Sequence, residues 1–451
     1  MIFGTGLASL AVYISAIVAL LLAVFWRPQV GLYFLVPLLP LQTTRYKIHD
    51  YPLGNKLVFI ILLGVILGLL LRGRSLVPRA LPLKRLLIFF MVFHFISLWY
   101  GSFYLDLPLP LSFDDPRFEN WINYMVMPGL YFVVVSAIED IKQMKILILL
   151  MCLSLLVVDR GFFFTQGLRD LSHYSEGIRD AGPLGYAGVN GLGAFEAATS
   201  TFLLGLYAFE KRKWIKLAIL GLLCGNMYCL LFSFSRGGYV GFLAGLVFLG
   251  IVKERKLLIV VLTLVIGYGA LIPTSVKERI AMTYNEDSRK VDSSSEGRLD
   301  LWHDAAQLFL ENPMIGTGFN TYAYLHRVGD LTDTHNIYLK VLVETGLIGL
   351  ALFLTLLVSI FRLGFYLFRS APDAFLASMG LGLAAMVVVT LVTNLFGDRW
   401  SYLEVSGYLW TMLACVVRAQ KIVAESHEEA GHEAGNLVEQ ISQATTSMAR
   451  A

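Results

Sequence analysis

The chain has 451 residues, of which 57% are hydrophobic and 15% charged, with a formal net charge of +3. A water-soluble domain is about 45–50% apolar and about 25% charged, so this composition excludes an ordinary soluble enzyme and puts most of the chain in lipid. The net charge says little about partners, no nucleic acid is expected among them, and the placement of the charges is more telling than their sum.

A helix needs roughly 20 apolar residues to cross the hydrocarbon core. In chain order the apolar runs predict spans near 7–25, 29–43, 56–71, 86–104, 120–138, 144–158, 190–208, 215–234, 237–252, 256–273, 336–361, 374–396 and 401–417. The first lacks a basic leader and is long enough for a true span rather than a signal peptide. The second is short and carries Pro37 and Pro40, and the sixth is also short, so the total is twelve or thirteen. The expected fold is therefore an all-α integral membrane bundle. Cys152, Cys224, Cys229 and Cys415 all sit in apolar runs and read as small hydrophobes, neither a disulfide frame nor a metal site.

Basic residues orient the bundle. Arg72, Arg74, Arg79, Lys84 and Arg85 share one loop; Lys142 with Lys145, Lys211 to Lys216, Lys253 to Lys256, and Arg362 with Arg369 fall in every second loop after it. Those loops are expected on the cytoplasmic side, and 101–121, 159–189, 235–237, 274–335 and 397–400 outside. The chain then divides into N-terminal spans 1–158, central spans 159–273 with the outward loop 159–189, a periplasmic loop 274–335, C-terminal spans 336–418 and a polar, mobile cytoplasmic tail 419–451. The N-terminus lies inside or outside according to the parity of the first two spans.

The loop 274–335 is about sixty residues long, too long for a simple connector. Asn285 to Glu296 is polar and expected to be flexible. Arg298 to Leu310 reads as an amphipathic helix with Trp302, Ala306, Phe309 and Leu310 on one face, suited to the membrane interface, and Pro313 marks its end. Gly316-Thr-Gly318 then turns the chain toward Asp333-Thr334-His335-Asn336.

Outward loops should be poor in arginine, yet Arg179, Arg236, Arg298, Arg327 and Arg399 all lie there. Any one of them can snorkel to lipid phosphates or pair with a carboxylate, as Arg399 could with Asp398, and Arg327 reads as solvated loop. Several together, near helix N-termini, form a bidentate anion site. Arg236, Arg298 and His335 are the favoured functional set. His335 opens a span whose first turn Asp333 or Thr334 can cap, and a neutral imidazole there can take a proton from a hydroxyl. Lys340 and Glu344 follow at helical spacing and are expected to neutralise each other. Asp330, Asp333 and His335 could be imagined around a metal, but the spacing favours solvation; neither metal nor cofactor is expected.

His335-Asn336, nine residues, then Gly346-Leu-Ile-Gly349 after a long outward loop resembles the bacterial O-antigen ligase superfamily, which includes O-antigen polymerases and protein O-oligosaccharyltransferases. So do Ser235-Arg236-Gly-Gly, Gly297-Arg298-x3-Trp302 leading to Pro313-x-x-Gly316-x-Gly318, and Arg179 before Pro183 and Asn190. The resemblance covers roughly residues 175–400. It implies a GT-C-like fold and a glycosyltransferase in the inner membrane that passes a glycan from undecaprenyl diphosphate to an acceptor hydroxyl on lipid A-core, on a growing polymer or on protein. It further implies that Arg236 and Arg298 bind the diphosphate and that His335 is catalytic, with Asn336, Asp398, Arg399 and Arg179 in support. A reading of another class is a lipid-linked glycan transporter, for which Glu196, Lys340 and Glu344 are the intramembrane candidates.

Overall fold

The computed structural model describes residues 3–78, 80–282, 284–285, 290–291, 293–328 and 332–448, with side chains placed for 6–78, 80–282, 297–328 and 332–425. Arg79, Asp330, the stretch 286–296 and the end of the tail therefore fall outside the described side chains.

Long apolar runs with few charges satisfy their backbone groups internally, and in lipid only helices or closed barrels can do that. Here the solution is helical, and among the described residues the strand pairing is confined to Tyr284–Asn285 with Lys290–Val291 in the loop. The first half comprises α1 (Phe3–Phe25), α2 (Pro28–Leu38), α3 (Gln42–Tyr46), α4 (Leu57–Leu71), α5 (Lys84–Tyr104), α6 (Pro116–Ala137), α7 (Ile141–Gln166) and α8 (Gly188–Phe209). Then come α9 (Lys213–Phe232), α10 (Arg236–Val252), α11 (Lys256–Ile266), α12 (Tyr268–Leu271) and α13 (Thr274–Ala281). The outward loop contains α14 (Ser293–Glu311) and α15 (Tyr322–Leu325), and the chain ends with α16 (Ile337–Ser370), α17 (Ala374–Thr393) and α18 (Leu403–Met448).

Among the described residues, eight helices are long and apolar enough to cross a membrane, and Pro28–Leu38, Arg236–Val252 and Lys256–Ile266 are shorter apolar helices. The protein is a polytopic helical membrane protein. The second predicted span proves to be a short helix: Pro37 lies in its last turn, and Arg45 donates to the carbonyls of Leu38 and Leu39 at 3.1 and 3.0 Å. The same guanidinium pairs with Glu404 of α18 at 2.6 Å. The sixth, expected to be short, runs 26 residues, capped by the Asp140 carboxylate, so the boundary placed at 158 falls inside α7. The tenth is interrupted at Gly267. The last helix shows no end at 418; its backbone continues through most of the polar segment to Met448.

The core runs through the bundle as one large apolar cluster. The central α8, α16 and α17 pack closely through small residues: a Cβ added at Gly205 of α8 would lie 3.1 Å from the Gly382 Cα of α17.

Helix α14 and the segment after it are folded onto the bundle. On α14 the fully buried positions are Leu301, Ala305 and Leu308, which cluster with Tyr322 and with Val343 of α16; Trp302 and Phe309 pack at the edge, and Leu310 is 75% exposed. The predicted stripe is thus offset by one position, and the apolar face turns to protein. Beyond it the chain makes a tight two-sided contact. Gly316 has φ +70° and Gly346 φ +64°; a Cβ on the first would come within 2.4 Å of the Glu344 carbonyl carbon, and on the second within 2.3 Å of the Met314 carbonyl carbon. Only glycine permits both the backbone angles and this approach. Thr317 and Gly318 donate to the carbonyls of Val343 and Glu344, while Leu347 donates to that of Pro313. The reversal at Gly346 breaks α16 into a short outer piece and a long inner one.

Candidate functional site

Ser235 caps α10, its hydroxyl accepting from the Gly238 N–H at 3.3 Å, so Arg236 stands in the first turn of a helix whose unsatisfied N–H groups carry partial positive charge. This N-terminus opens on a cavity of about 810 Å³. Arg236, Arg279 of α13, Arg298 of α14 and Arg399, between α17 and α18, all line it. Four guanidiniums delivered by four separate elements converge on one space. Most of the remaining wall is apolar, built from α9 to α12 by residues such as Leu230, Phe242, Leu264 and Leu271.

Arg179 stands just behind this wall. It donates to Asn190 Oδ1 at 3.1 Å, and Asn190 itself lines the cavity. Glu176 accepts from Arg179 at 3.3 Å and from Arg279 at 3.4 Å. Arg279 is 5% exposed, and its Nε has no hydrogen-bond partner among the described residues. Burial lowers its pKa, with the charges of Arg179 and Arg236 adding to the effect and the Tyr174 side chain opposing it. Repulsion among buried cations of this kind is relieved by a bound anion.

His335 precedes α16 with φ +51°, in the left-handed region. Its Nδ1 lies 3.6 Å from Asp333 Oδ2, an electrostatic neighbour beyond hydrogen-bond range. Burial lowers its pKa, and the Arg298 and Arg399 charges act in the same direction against Asp333. The charges of two of the cavity's arginines thus act on His335, and both disfavour its protonated form. The helix cap is neither Asp333 nor Thr334: Asn336 Oδ1 accepts from the N–H groups of Tyr338 and Leu339 at 3.0 and 3.3 Å. Thr334 instead donates to the Asn336 carbonyl at 2.9 Å and receives the Trp302 indole N–H on its own carbonyl at 3.0 Å. Trp302 lies one turn beyond Arg298, so one hydrogen bond ties the Arg298 helix to the His335 segment.

Two expected pairings and one expected solvated residue are replaced by other arrangements. Lys340 pairs with the Asp398 carboxylate at 3.0 Å rather than with Glu344, which accepts from the N–H groups of Asn320 and Tyr322 at 3.0 and 3.3 Å. Asp398 also accepts from the Ser401 N–H at 2.9 Å, while Arg399 reaches only the Asp398 backbone carbonyl, at 3.3 Å. Arg327 is held by Asp304 at 2.7 Å rather than solvated. Around the Lys340–Asp398 pair lies a smaller polar cavity of about 210 Å³, into which Asn120, Asn123, Asn320 and Tyr402 also face.

The residue that the sequence reading omitted is Arg279. It lies, like the others, in a loop predicted to face outward, and the same charge rule applied to Val276-Lys-Glu-Arg279 would have marked it.

The class defined by these elements is a polytopic membrane protein with a cationic pocket at one end of its bundle. Residues 219–354 match the family model described as O-antigen ligase, a segment that contains Arg236, Arg279, Arg298, Trp302, His335 and the Gly346–Gly349 pair. Two curated proteins named as candidate polysaccharide ligases are similar to the chain. One, from Rickettsia typhi, is 27% identical over 172 residues, 35% of this chain and 42% of that protein. The other, from Rickettsia prowazekii, is 28% identical over 147 residues, 29% of this chain and 36% of that protein. The chain thus spans less than half the length of these relatives. Together the matches support a likeness to the O-antigen ligase superfamily, carried by the segment 219–354.

Proposed function

We propose that the protein is a membrane glycosyltransferase that moves a glycan from undecaprenyl diphosphate to an acceptor hydroxyl, lipid A-core being the leading acceptor, at the periplasmic face of the bacterial inner membrane. The observation that carries this reading is the shape of the large cavity: four arginines and a helix N-terminus at its head, apolar side chains along its length. A lipid diphosphate has the same division, two phosphates at one end and a hydrocarbon tail.

The reaction needs little else. The acceptor oxygen attacks the anomeric carbon as the bond from that carbon to the phosphate oxygen breaks, inverting the centre. The diphosphate leaves unprotonated because Arg236, Arg279, Arg298 and Arg399 stabilise its charge in a site of low dielectric. Neutral His335 takes the proton of the acceptor hydroxyl. No second carboxylate is required, in contrast to glycoside hydrolysis. The smaller polar cavity, lined by Asp398 where its neighbour Arg399 lines the larger one, offers amides and hydroxyls suited to a sugar.

The test is transfer by purified protein in lipid nanodiscs, with undecaprenyl-diphosphate-linked glycan as donor and lipid A-core as acceptor. Wild type is expected to transfer, and His335→Ala to lose the activity. Undiminished transfer by His335→Ala overturns the base assignment. Transfer only to a second lipid-linked repeat, or only to protein, would replace lipid A-core with those acceptors, and movement of donor across the bilayer without transfer would make the protein a transporter.

A further inference from the structure

Three helices of the bundle bring together acidic and thiol groups that the transfer reaction does not use. Asp159 of α7, Glu196 of α8 and Cys229 of α9 are all buried, Glu196 and Cys229 completely. One ligand atom from each lies within 4.8 Å of the other two. The Cys229 thiol contacts Asp159 Oδ1 at 3.4 Å. The position is inside the apolar part of the bundle: Glu196 is about 9 Å farther along α8 than Asn190, at 1.5 Å per residue.

The polar atoms here lack partners. Neither oxygen of Glu196, nor Asp159 Oδ2, nor Asn226 Oδ1 has a hydrogen bond among the described residues. Asn226 lies one turn before Cys229, and its amide N–H is committed to Thr199 Oγ1 at 2.9 Å, one turn beyond Glu196. That bond fixes the amide on the α8–α9 side of the cluster and leaves its carbonyl oxygen unused. The α9 backbone also leaves room for the Asp159 carboxylate: a Cβ on Gly225 would come within 2.5 Å of Oδ2. Two adjacent buried carboxylates with no basic partner are strongly unfavourable unless something neutralises them.

A divalent cation does so, and the donor set selects its class. Carboxylate oxygens alone suit magnesium or calcium, whereas a sulfur ligand suits zinc. Tetrahedral zinc, with bonds of about 2.0–2.3 Å, sets neighbouring oxygen and sulfur ligands about 3.5 Å apart, close to the Asp159–Cys229 separation. We propose that Asp159, Glu196 and Cys229, completed by the Asn226 carbonyl, bind one divalent cation of the zinc class inside the bundle. Coordination ionises the thiol, and one carboxyl oxygen retains its proton, so two negative charges balance the ion. The ion joins α7, α8 and α9 beneath the arginine-lined cavity, whose wall includes Leu230 of α9. It is a structural tie, independent of which glycan is transferred.

The experiment uses the full chain purified in detergent, stripped with chelator, dialysed and reloaded with zinc or cobalt chloride. By elemental mass spectrometry the wild type is expected to retain one zinc per chain and Glu196→Gln to fall to background. Cobalt-loaded wild type should show the near-ultraviolet thiolate-to-cobalt band, Cys224→Ser should keep it, and Cys229→Ser should lose it. Wild type that retains no more zinc than Glu196→Gln overturns the proposal, as does a cobalt band that persists in Cys229→Ser. Should Glu196→Gln fail to fold, the cobalt spectra of the two serine variants still decide the matter.

Discussion

The indole N–H of Trp302 donates a 3.0 Å hydrogen bond to the backbone carbonyl of Thr334, the residue immediately before His335. It joins the helix that carries Arg298 to the segment that carries the proposed base. Trp302→Phe keeps most of the ring and removes the donor. The hydrogen bond itself is worth about 1 kcal/mol, so thermal stability should change little. Displacement of a reacting group by about 1 Å costs on the order of 100-fold in rate. Transfer kinetics and the melting temperature, measured on one preparation, check this; a large loss of stability with unchanged kcat would make the bond purely structural.

Arg279 supplies a cation to the cavity from the short helix α13. Arg279→Ala should reduce kcat/KM for the lipid-linked donor by about 10–100-fold, the value of one hydrogen bond to a charged group. Arg279→Lys keeps the charge but loses the planar fork, and should fall between the two. Donor titrations check it: an Arg279→Ala enzyme with wild-type kinetics removes Arg279 from the site.

The pH profile follows from the surroundings of His335. Burial, reinforced by Arg298 and Arg399, holds its pKa below the ordinary 6.5, while Asp333 pulls it up. The base works when neutral, so activity should persist through neutral pH and fall on the acid side as the imidazole takes a proton. Asp333→Asn removes the upward pull, and the acid limb of kcat/KM should move to lower pH. Movement to higher pH would mean that another group titrates.

Gly346 and Gly221 make a matched pair of substitutions. Gly346→Ala forces a side chain into left-handed backbone and against Met314, and should destabilise by about 1–3 kcal/mol or more. A Cβ at Gly221 of α9 meets nothing within 4 Å, so Gly221→Ala should be neutral or slightly stabilising. Tryptophan-fluorescence melting curves of the two variants should separate clearly.

Lys340 and the 2%-exposed Asp398 form a buried pair. Lys340→Met leaves a charge without a partner and should cost about 3–5 kcal/mol. Asp398→Asn placed on top of it should restore much of the loss. An additive double variant would show that the two do not interact.

The helices were legible because a lipid-buried helix is written as an apolar run, and Arg236 and Arg298, which the fold brings to one cavity, because they stand where topology disfavours charge. The rest depended on contacts between distant parts of the chain. Nothing local in Lys340-x3-Glu344 shows that Asp398 is the partner of Lys340, since helical spacing makes the i, i+4 pair look sufficient. Gly316 and Gly346 read as two separate turn signals, and only the folded chain shows each excluding a side chain from the other's backbone. On α14 the mixed pattern allows two adjacent stripes, and the packing of Leu301, Ala305 and Leu308 against α16 selected the one not chosen from sequence.

The cavity's cationic head is delivered by α10, α13, α14 and the segment between α17 and α18, so its parts leave the ribosome at widely separated times. A nascent chain that has inserted only as far as α13 holds Arg236 and Arg279 without Arg298, His335 or Arg399. The lining is complete only once Arg399, the residue after Asp398 at the far end of α17, has been made, and any shorter nascent chain holds only part of the cationic head.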